Sequence, residues 1–193
     1  MTDSCQTEPN FTAKIPSGDD RTRLVCDDCG WVHYDNPKIV VGSVVVRRTG
    51  HDKGRGEDFL LCRRAINPRK GYWTLPAGFL EENESTEAGA LREAVEEANA
   101  RLRLKGLLAI YNIPRISQVQ LIYLAELAHP EVSAGPESEE VGFFTWDRIP
   151  WDEIAFPSVH WALNHYRELQ GRETFQPFTN PPGETGDRLP QGV

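Results

Sequence analysis

Glu93, Glu96 and Glu97 stand at i, i+3 and i+4 in the run Arg92-Glu93-Ala94-Val95-Glu96-Glu97. On a helix each residue turns the chain by about 100°, so these carboxylates fall within one narrow arc. Like charges at that spacing repel by ~0.2–0.5 kcal/mol per pair in an isolated helix. Packing them together calls for a compensating cation. Carboxylate oxygens are hard donors that suit magnesium or manganese, ions that keep several waters and bridge to substrate phosphates. The arrangement suits holding such an ion against a diphosphate. The bland alternative for an acidic run is a solvated helix face.

The elements around the cluster must hold it. Leu91, Ala94, Val95 and Ala98 are expected to form an apolar stripe that docks on a sheet and turns the acidic face toward a cleft. Upstream, YWTLPAG reads as a strand leading through an acidic loop into the helix. IVVGSVVVRR and DFLLCRRA read as strands joined by the Gly-rich turn GHDKGRGE, which predicts a hairpin. LKGLLAIY, SQVQLIYLAEL and VGFFTW read as further strands, and VHWALNHYRELQ as a closing amphipathic helix. Pattern alone predicts an α/β fold with a mixed sheet.

Taken with its flanks, the stretch reads Gly78, five residues, Glu84, seven residues, then Arg92 to Ala100. It resembles the Nudix box, the signature of the Nudix hydrolase superfamily. Three positions depart from the family pattern: Asn99 stands where Gly is expected, and Ala94 and Ala100 where bulkier aliphatics are expected. Asn is the best non-Gly residue for a left-handed helix end. The resemblance implies a Nudix α/β/α sandwich over residues 36–170. It implies Glu96 and Glu97 as principal metal ligands, Glu93 as a further ligand or base, and backbone oxygen near Ala77 and Gly78 as another donor. Glu84 and Arg92 are expected to brace loop and helix by ion pairing. In GPESEEVGFFTWDRIPW, Glu140, with Glu139 beside it, best fits the loop glutamate with which many family members bind metal or activate water. Glu97, Glu93 or Glu140 would then take the proton.

Branch and substrate follow from the same resemblance. The stretch from Val40 to Tyr166 looks most like the branch acting on FAD and ADP-ribose, and Pro114 lies close to where ADP-ribose enzymes carry a proline. The SQPWPFP-like motif of NADH pyrophosphatases is missing from that region. The expected activity is magnesium-dependent hydrolysis of a nucleoside diphosphate linked to another moiety, releasing AMP. The alternatives are an NADH or nucleoside triphosphate pyrophosphatase, and a non-catalytic nucleotide-sensing Nudix module; intact glutamates and the lack of a basic helix argue against the last. Arg63, Arg64, Arg69 and Lys70 precede the box, and an arginine fork matches phosphate oxygens. Trp73 and Tyr111 could stack a base or flavin ring, although strand aromatics more often belong to a core.

The chain has 193 residues, 39% hydrophobic and 26% charged, which suits one good core plus a small appendage. No apolar run approaches the ~20 residues needed to span a bilayer. The start, MTDSCQTEPNF, lacks signal-peptide features, so a cytoplasmic location is expected. A net charge of −8 opposes binding to long nucleic acids and points to a small nucleotide partner. Many Nudix relatives act as homodimers, a state these residues neither support nor oppose.

Residues 1–35 resemble the zinc ribbon that precedes some Nudix domains. Cys26-Asp27-Asp28-Cys29-Gly30 has metal-knuckle spacing, whereas structural zinc wants four ligands. Its partner knuckle is eroded, with Cys5 present and Glu8 where a second cysteine is expected. Cys5, Cys26 and Cys29, with His33 or Glu8, are candidate zinc ligands; a zinc-free remnant is the alternative. Cys62 reads as a buried small hydrophobe. Residues 171–193 contain four Pro and four Gly without apolar periodicity, which predicts a mobile tail.

Overall fold

The computed structural model describes residues 10–48, 56–169, 172 and 174–187, and the chain divides into two compact units after Pro37. In the first unit β1 (Phe11–Lys14), β2 (Arg23–Cys26) and β3 (Val32–His33) form an antiparallel three-stranded sheet. The predicted knuckle is the turn between β2 and β3. Gly30, at φ +75°, donates its N–H to the Cys26 carbonyl at 2.9 Å, and the Cys26 N–H reaches the Trp31 carbonyl at 2.8 Å. Cys26 is buried and Cys29 exposed. Backbone N–H groups of Cys29 and Asp28 stabilise a thiolate on Cys26 and lower its pKa. His33 Nε2 lies 3.0 Å from Asp35 Oδ1. Cys5 and Glu8 lie outside the described residues, and among the described residues no group of three metal-ligating side chains converges here or elsewhere.

The second unit is a mixed sheet between two helices. Its strands are β4 (Lys38–Arg48), β5 (Glu57–Arg64), β6 (Trp73–Thr74), β7 (Ala77–Phe79), β8 (Leu102–Ile113), β9 (Gln118–Leu127) and β10 (Ser138–Thr145). The order is β10-β5-β4-β9-β8, with β4 and β9 parallel and the remaining pairs antiparallel. The predicted β4–β5 hairpin is present, and most of its turn lies outside the described residues.

One edge of Val-rich β4 lies along β9 and the other is shared between two partners, and this sharing builds the site. Its C-terminal end pairs with β5 through Val46 and Phe59, and its N-terminal end pairs with β7 through Val41 and Gly78. Segment 73–79 fills the gap where β5 diverges, β6 pairing with β5 and β7 with β4. Helix α1 (Thr86–Ala98) follows, started by Ser85, whose hydroxyl accepts the Ala88 N–H at 3.1 Å. Alternate residues of β4 face opposite layers. Val45 packs with Leu60, Cys62, Ala94 and Ala98 beneath α1. Val44 and Val46 pack with Ala162, Leu163 and Tyr166 of helix α2 (Pro157–Glu168).

Two expectations change. The sheet-facing stripe of α1 is Gly89, Ala90, Glu93, Ala94, Glu97 and Ala98, while Val95 is 47% exposed. Glu93 and Glu97 thus lie on the docking face and not across from it, because small alanines bring the helix close enough for strand backbone to meet a carboxylate. The predicted mobile tail is also corrected: its described residues 174–187 lie along β8. Phe178 N–H reaches the Leu108 carbonyl and Ile110 N–H the Phe178 carbonyl, both at 2.9 Å. The Asn180 side chain exchanges two 2.8 Å bonds with the Asn112 backbone, and the Phe178 ring stacks 4.3 Å from His165. This arm covers an edge strand whose backbone groups would otherwise be unpaired. No described helix is long and apolar enough to cross a membrane.

Candidate active site

Arg92 organises the predicted cluster. Its Nε and Nη2 donate to the two oxygens of Glu84 at 3.1 and 2.7 Å. Nη1 donates to Glu93 Oε1 at 2.7 Å and Glu96 Oε2 at 2.8 Å, and Nη2 also reaches the Phe79 carbonyl at 2.9 Å. A guanidinium has five N–H donors, and each has a protein partner here. Glu84 in turn accepts the Glu81 N–H at 2.8 Å. The pair therefore ties the loop to the second and third turns of α1.

Glu97 is 4% exposed and accepts the Ala77 N–H on Oε2 at 3.0 Å. Burial pushes its pKa up to about 8; the Ala77 bond and the Arg64 charge oppose this, while Glu93 and Glu137 add to it. Glu93 is 8% exposed and also raised, chiefly by burial, with Arg92 opposing. Gly78 makes this packing feasible, because a Cβ there would collide with the Glu93 carboxylate. Glu96, half in solvent, completes the predicted trio.

A hard divalent cation fits this donor set chemically: carboxylates on one helix, two of them buried with raised pKa values that a nearby cation would lower. The oxygens do not form a ready cage, since Arg92 holds Glu93 and Glu96 while Glu97 turns to Ala77. Such a cation would compete with Arg92 for two of the three.

The loop acid differs from expectation. Glu140 lies within β10 opposite Arg63, 57% exposed, with its carboxylate 3.7 Å from Arg63 Nη1. Glu139 similarly lies 3.6 Å from Lys70 Nζ. Glu137, just before β10, has the charge that both Glu93 and Glu97 feel. Its own carbonyl accepts the Ala65 N–H at 2.8 Å. The run Glu137-Ser138-Glu139-Glu140 offers no periodic cue to choose among its acids. The strand start at Ser138 decides, by setting Glu140 opposite Arg63 of β5 and leaving Glu139 at the bulge between Ser138 and Glu140.

Among the substrate candidates, Arg64 is the one coupled to the buried carboxylates. Its charge acts on Glu97, its Nε donates to the Pro68 carbonyl at 2.8 Å, and its guanidinium sits over the Phe156 ring. Arg63 is directed to the Gly71 carbonyl and Glu140. Arg69 lies over the Tyr72 ring. The aromatic candidates are corrected. Tyr111 is fully buried with its hydroxyl 2.7 Å from His165 Nδ1, and Trp73 is 6% exposed, edge-on to Phe144. A ring sealed on both faces by core side chains has none left for a ligand. Clefts of about 370 Å³ at Arg47 to Pro130 and about 290 Å³ at Trp146 and Tyr166 are not lined by the carboxylates.

Comparison with known proteins agrees with the geometry. Residues 37–166 match the family described as NUDIX domain, and residues 4–35 the family described as Nudix N-terminal. The crystal structure of a NUDIX hydrolase from Nitrosomonas europaea superposes with a TM-score of 0.79 at 40% identity, covering 93% of this chain and 99% of that one. An ADP-ribose pyrophosphatase of Methanocaldococcus jannaschii is 28% identical over 127 residues, 64% of this chain and 69% of its own. An NAD-capped RNA hydrolase NudC of Deinococcus radiodurans is 33% identical over 142 residues, 72% of this chain and 48% of its own. The chain thus spans about half the length of that relative.

Proposed function

The chain belongs to the Nudix hydrolase family, and from that premise we propose that it hydrolyses the pyrophosphate bond of ADP joined to a second moiety, such as ADP-ribose or FAD, releasing AMP. The observation that carries this reading is the buried Glu93 and Glu97 pair, locked to the loop by Arg92 and Glu84, with the charge of Glu137 acting on both. Glu93, Glu96 and Glu97 would hold magnesium or manganese, which when bound neutralises diphosphate charge and lowers the pKa of a coordinated water. Water oxygen forms the new bond to phosphorus, and the bridging P–O bond breaks with its electron pair leaving on the second phosphate. Glu137 is our first assignment for the acceptor of the water's proton, with Glu93 and Glu97 as the other candidates. Arg64 is assigned to a phosphate oxygen of the substrate.

A dinucleotide substrate, NADH or an NAD cap on RNA, is the second reading, favoured by the similarity to NudC proteins. The net charge of −8 weighs against a long RNA partner. In the first unit Cys26 and Cys29 suit two positions of a structural zinc, for which Cys5 would be a third; metal analysis of the purified protein tests this. The activity test is incubation with magnesium and ADP-ribose, FAD, NADH, an NAD-capped oligonucleotide and nucleoside triphosphates, with an EDTA control. AMP with ribose 5-phosphate or FMN is the expected result. NMN-containing products would favour the second reading, pyrophosphate from triphosphates would move the enzyme to another class, and no turnover would refute both.

A further inference from the structure

Asn99 ends α1 in the left-handed conformation, φ 47° and ψ 27°, with its N–H directed to the Ala94 and Val95 carbonyls. Gly would serve that backbone at least as well. Its side chain does what Gly cannot. Nδ2 lies 3.1 Å from the Ser133 carbonyl, 3.0 Å from Ser133 Oγ and 3.4 Å from the Ala134 carbonyl.

These bonds clamp the 133–138 loop onto the helix end. Ser133 N–H donates to the Ala98 carbonyl and Gly135 N–H to the Glu97 carbonyl, both at 3.0 Å, satisfying groups a helix terminus leaves open. Gly135 lies so close that a Cβ would collide with the Glu96 carbonyl oxygen. Beyond it, Ser138 N–H turns back to the Gly135 carbonyl at 3.1 Å and the Glu137 carbonyl takes the Ala65 N–H at 2.8 Å. The Glu137 backbone is therefore held between the end of α1, through Gly135, and the end of β5, through Ala65, and its charge acts on both Glu93 and Glu97.

We propose that Asn99 is a positioning residue for the reaction: its side-chain amide fixes the 133–138 loop so that Glu137 faces the carboxylates of α1. The inference rests on the assignment of Glu137 as the loop acid. Asn99→Gly keeps the left-handed helix stop and deletes the clamp; Asn99→Asp keeps the shape and turns the donor into an acceptor facing two carbonyls.

The test is steady-state kinetics on ADP-ribose with magnesium, in wild type and in a Glu137→Gln background, with thermal unfolding alongside. Asn99→Gly is expected to lower kcat about tenfold, by displacing a reacting group on the scale of an ångström, with KM changing less than kcat. In the Glu137→Gln background the same change should cost less than about twofold, since the two residues act as one unit. Asn99→Asp should fall at least as far as Asn99→Gly. Wild-type kcat in Asn99→Gly beside an impaired Glu137→Gln overturns the role of Asn99 alone, as do losses that multiply. A fully active Glu137→Gln overturns the loop-acid assignment and the inference with it.

Discussion

Glu97→Gln should stabilise the metal-free protein while abolishing activity. Burial raises the Glu97 pKa from the ordinary 4.5 to about 8. Between these values the folded state holds a proton that the unfolded chain has released, so stability falls as pH rises through that window and levels off above it. Each unit of displacement corresponds to about 1.4 kcal/mol, which sets a ceiling of about 5 kcal/mol above pH 8 and about 3 kcal/mol at pH 7. Relaxation and water entry lower such values, so a gain of about 2 kcal/mol at pH 8.5 is expected, or roughly 4–8 °C in Tm for a chain of this size. Gln keeps an oxygen for the Ala77 N–H. The assay is thermal unfolding of both proteins in EDTA from pH 4.5 to 8.5. The advantage of the variant should be near zero at pH 4.5, grow to pH 8 and shrink when magnesium is added. A difference in Tm that does not change with pH, or a variant less stable than wild type at pH 8.5, would refute the electrostatic reasoning.

Arg92→Lys keeps the charge but offers three donors to partners that now occupy five, so it should cost about 2 kcal/mol and most of the activity; urea unfolding and kcat measure both. Tyr111→Phe removes the buried bond to His165 and nothing at the carboxylates, so about 1–2 kcal/mol of stability should be lost while kcat and KM stay within about twofold. Altered KM would return Tyr111 to the substrate site. Deleting residues 174–193 should expose the edge of β8 and make sedimentation concentration-dependent, whereas a sedimentation profile unchanged from wild type would show that the arm is dispensable.

The continuous apolar runs of β4 and β5, buried on both faces, and the 3.6-residue spacing of α1 and α2 make the layers legible in the amino-acid sequence. What the spacing does not show is which arc of α1 meets the sheet. Two glutamates occupy it, and hydrophobic patterning assigns glutamate to solvent; the Arg92 guanidinium, the Ala77 N–H and the missing side chain of Gly78 make the burial workable. Glu137 escapes because a loop acid is defined by where the next strand begins, a boundary that sequence pattern fixes poorly. Tyr111 and Trp73 are ambiguous for a simpler reason: an aromatic residue on a strand looks the same whether its ring meets a ligand or Phe144. The C-terminal arm is anchored by Phe178 and Asn180 individually, so it carries no period to detect.

The arm also orders events during synthesis. Its bonds to Leu108, Ile110 and Asn112 are made by residues 178 and 180, so β8 can be complete and paired with β9 while its outer edge still lacks a partner. Chains emerge from the ribosome at about 5–20 residues per second, and about 50 residues separate β9 from the arm. Every nascent molecule therefore passes through an interval with an open strand edge. Neighbouring copies on one messenger could pair across it, so the time taken to translate residues 128 to 180 sets how long that edge stays open.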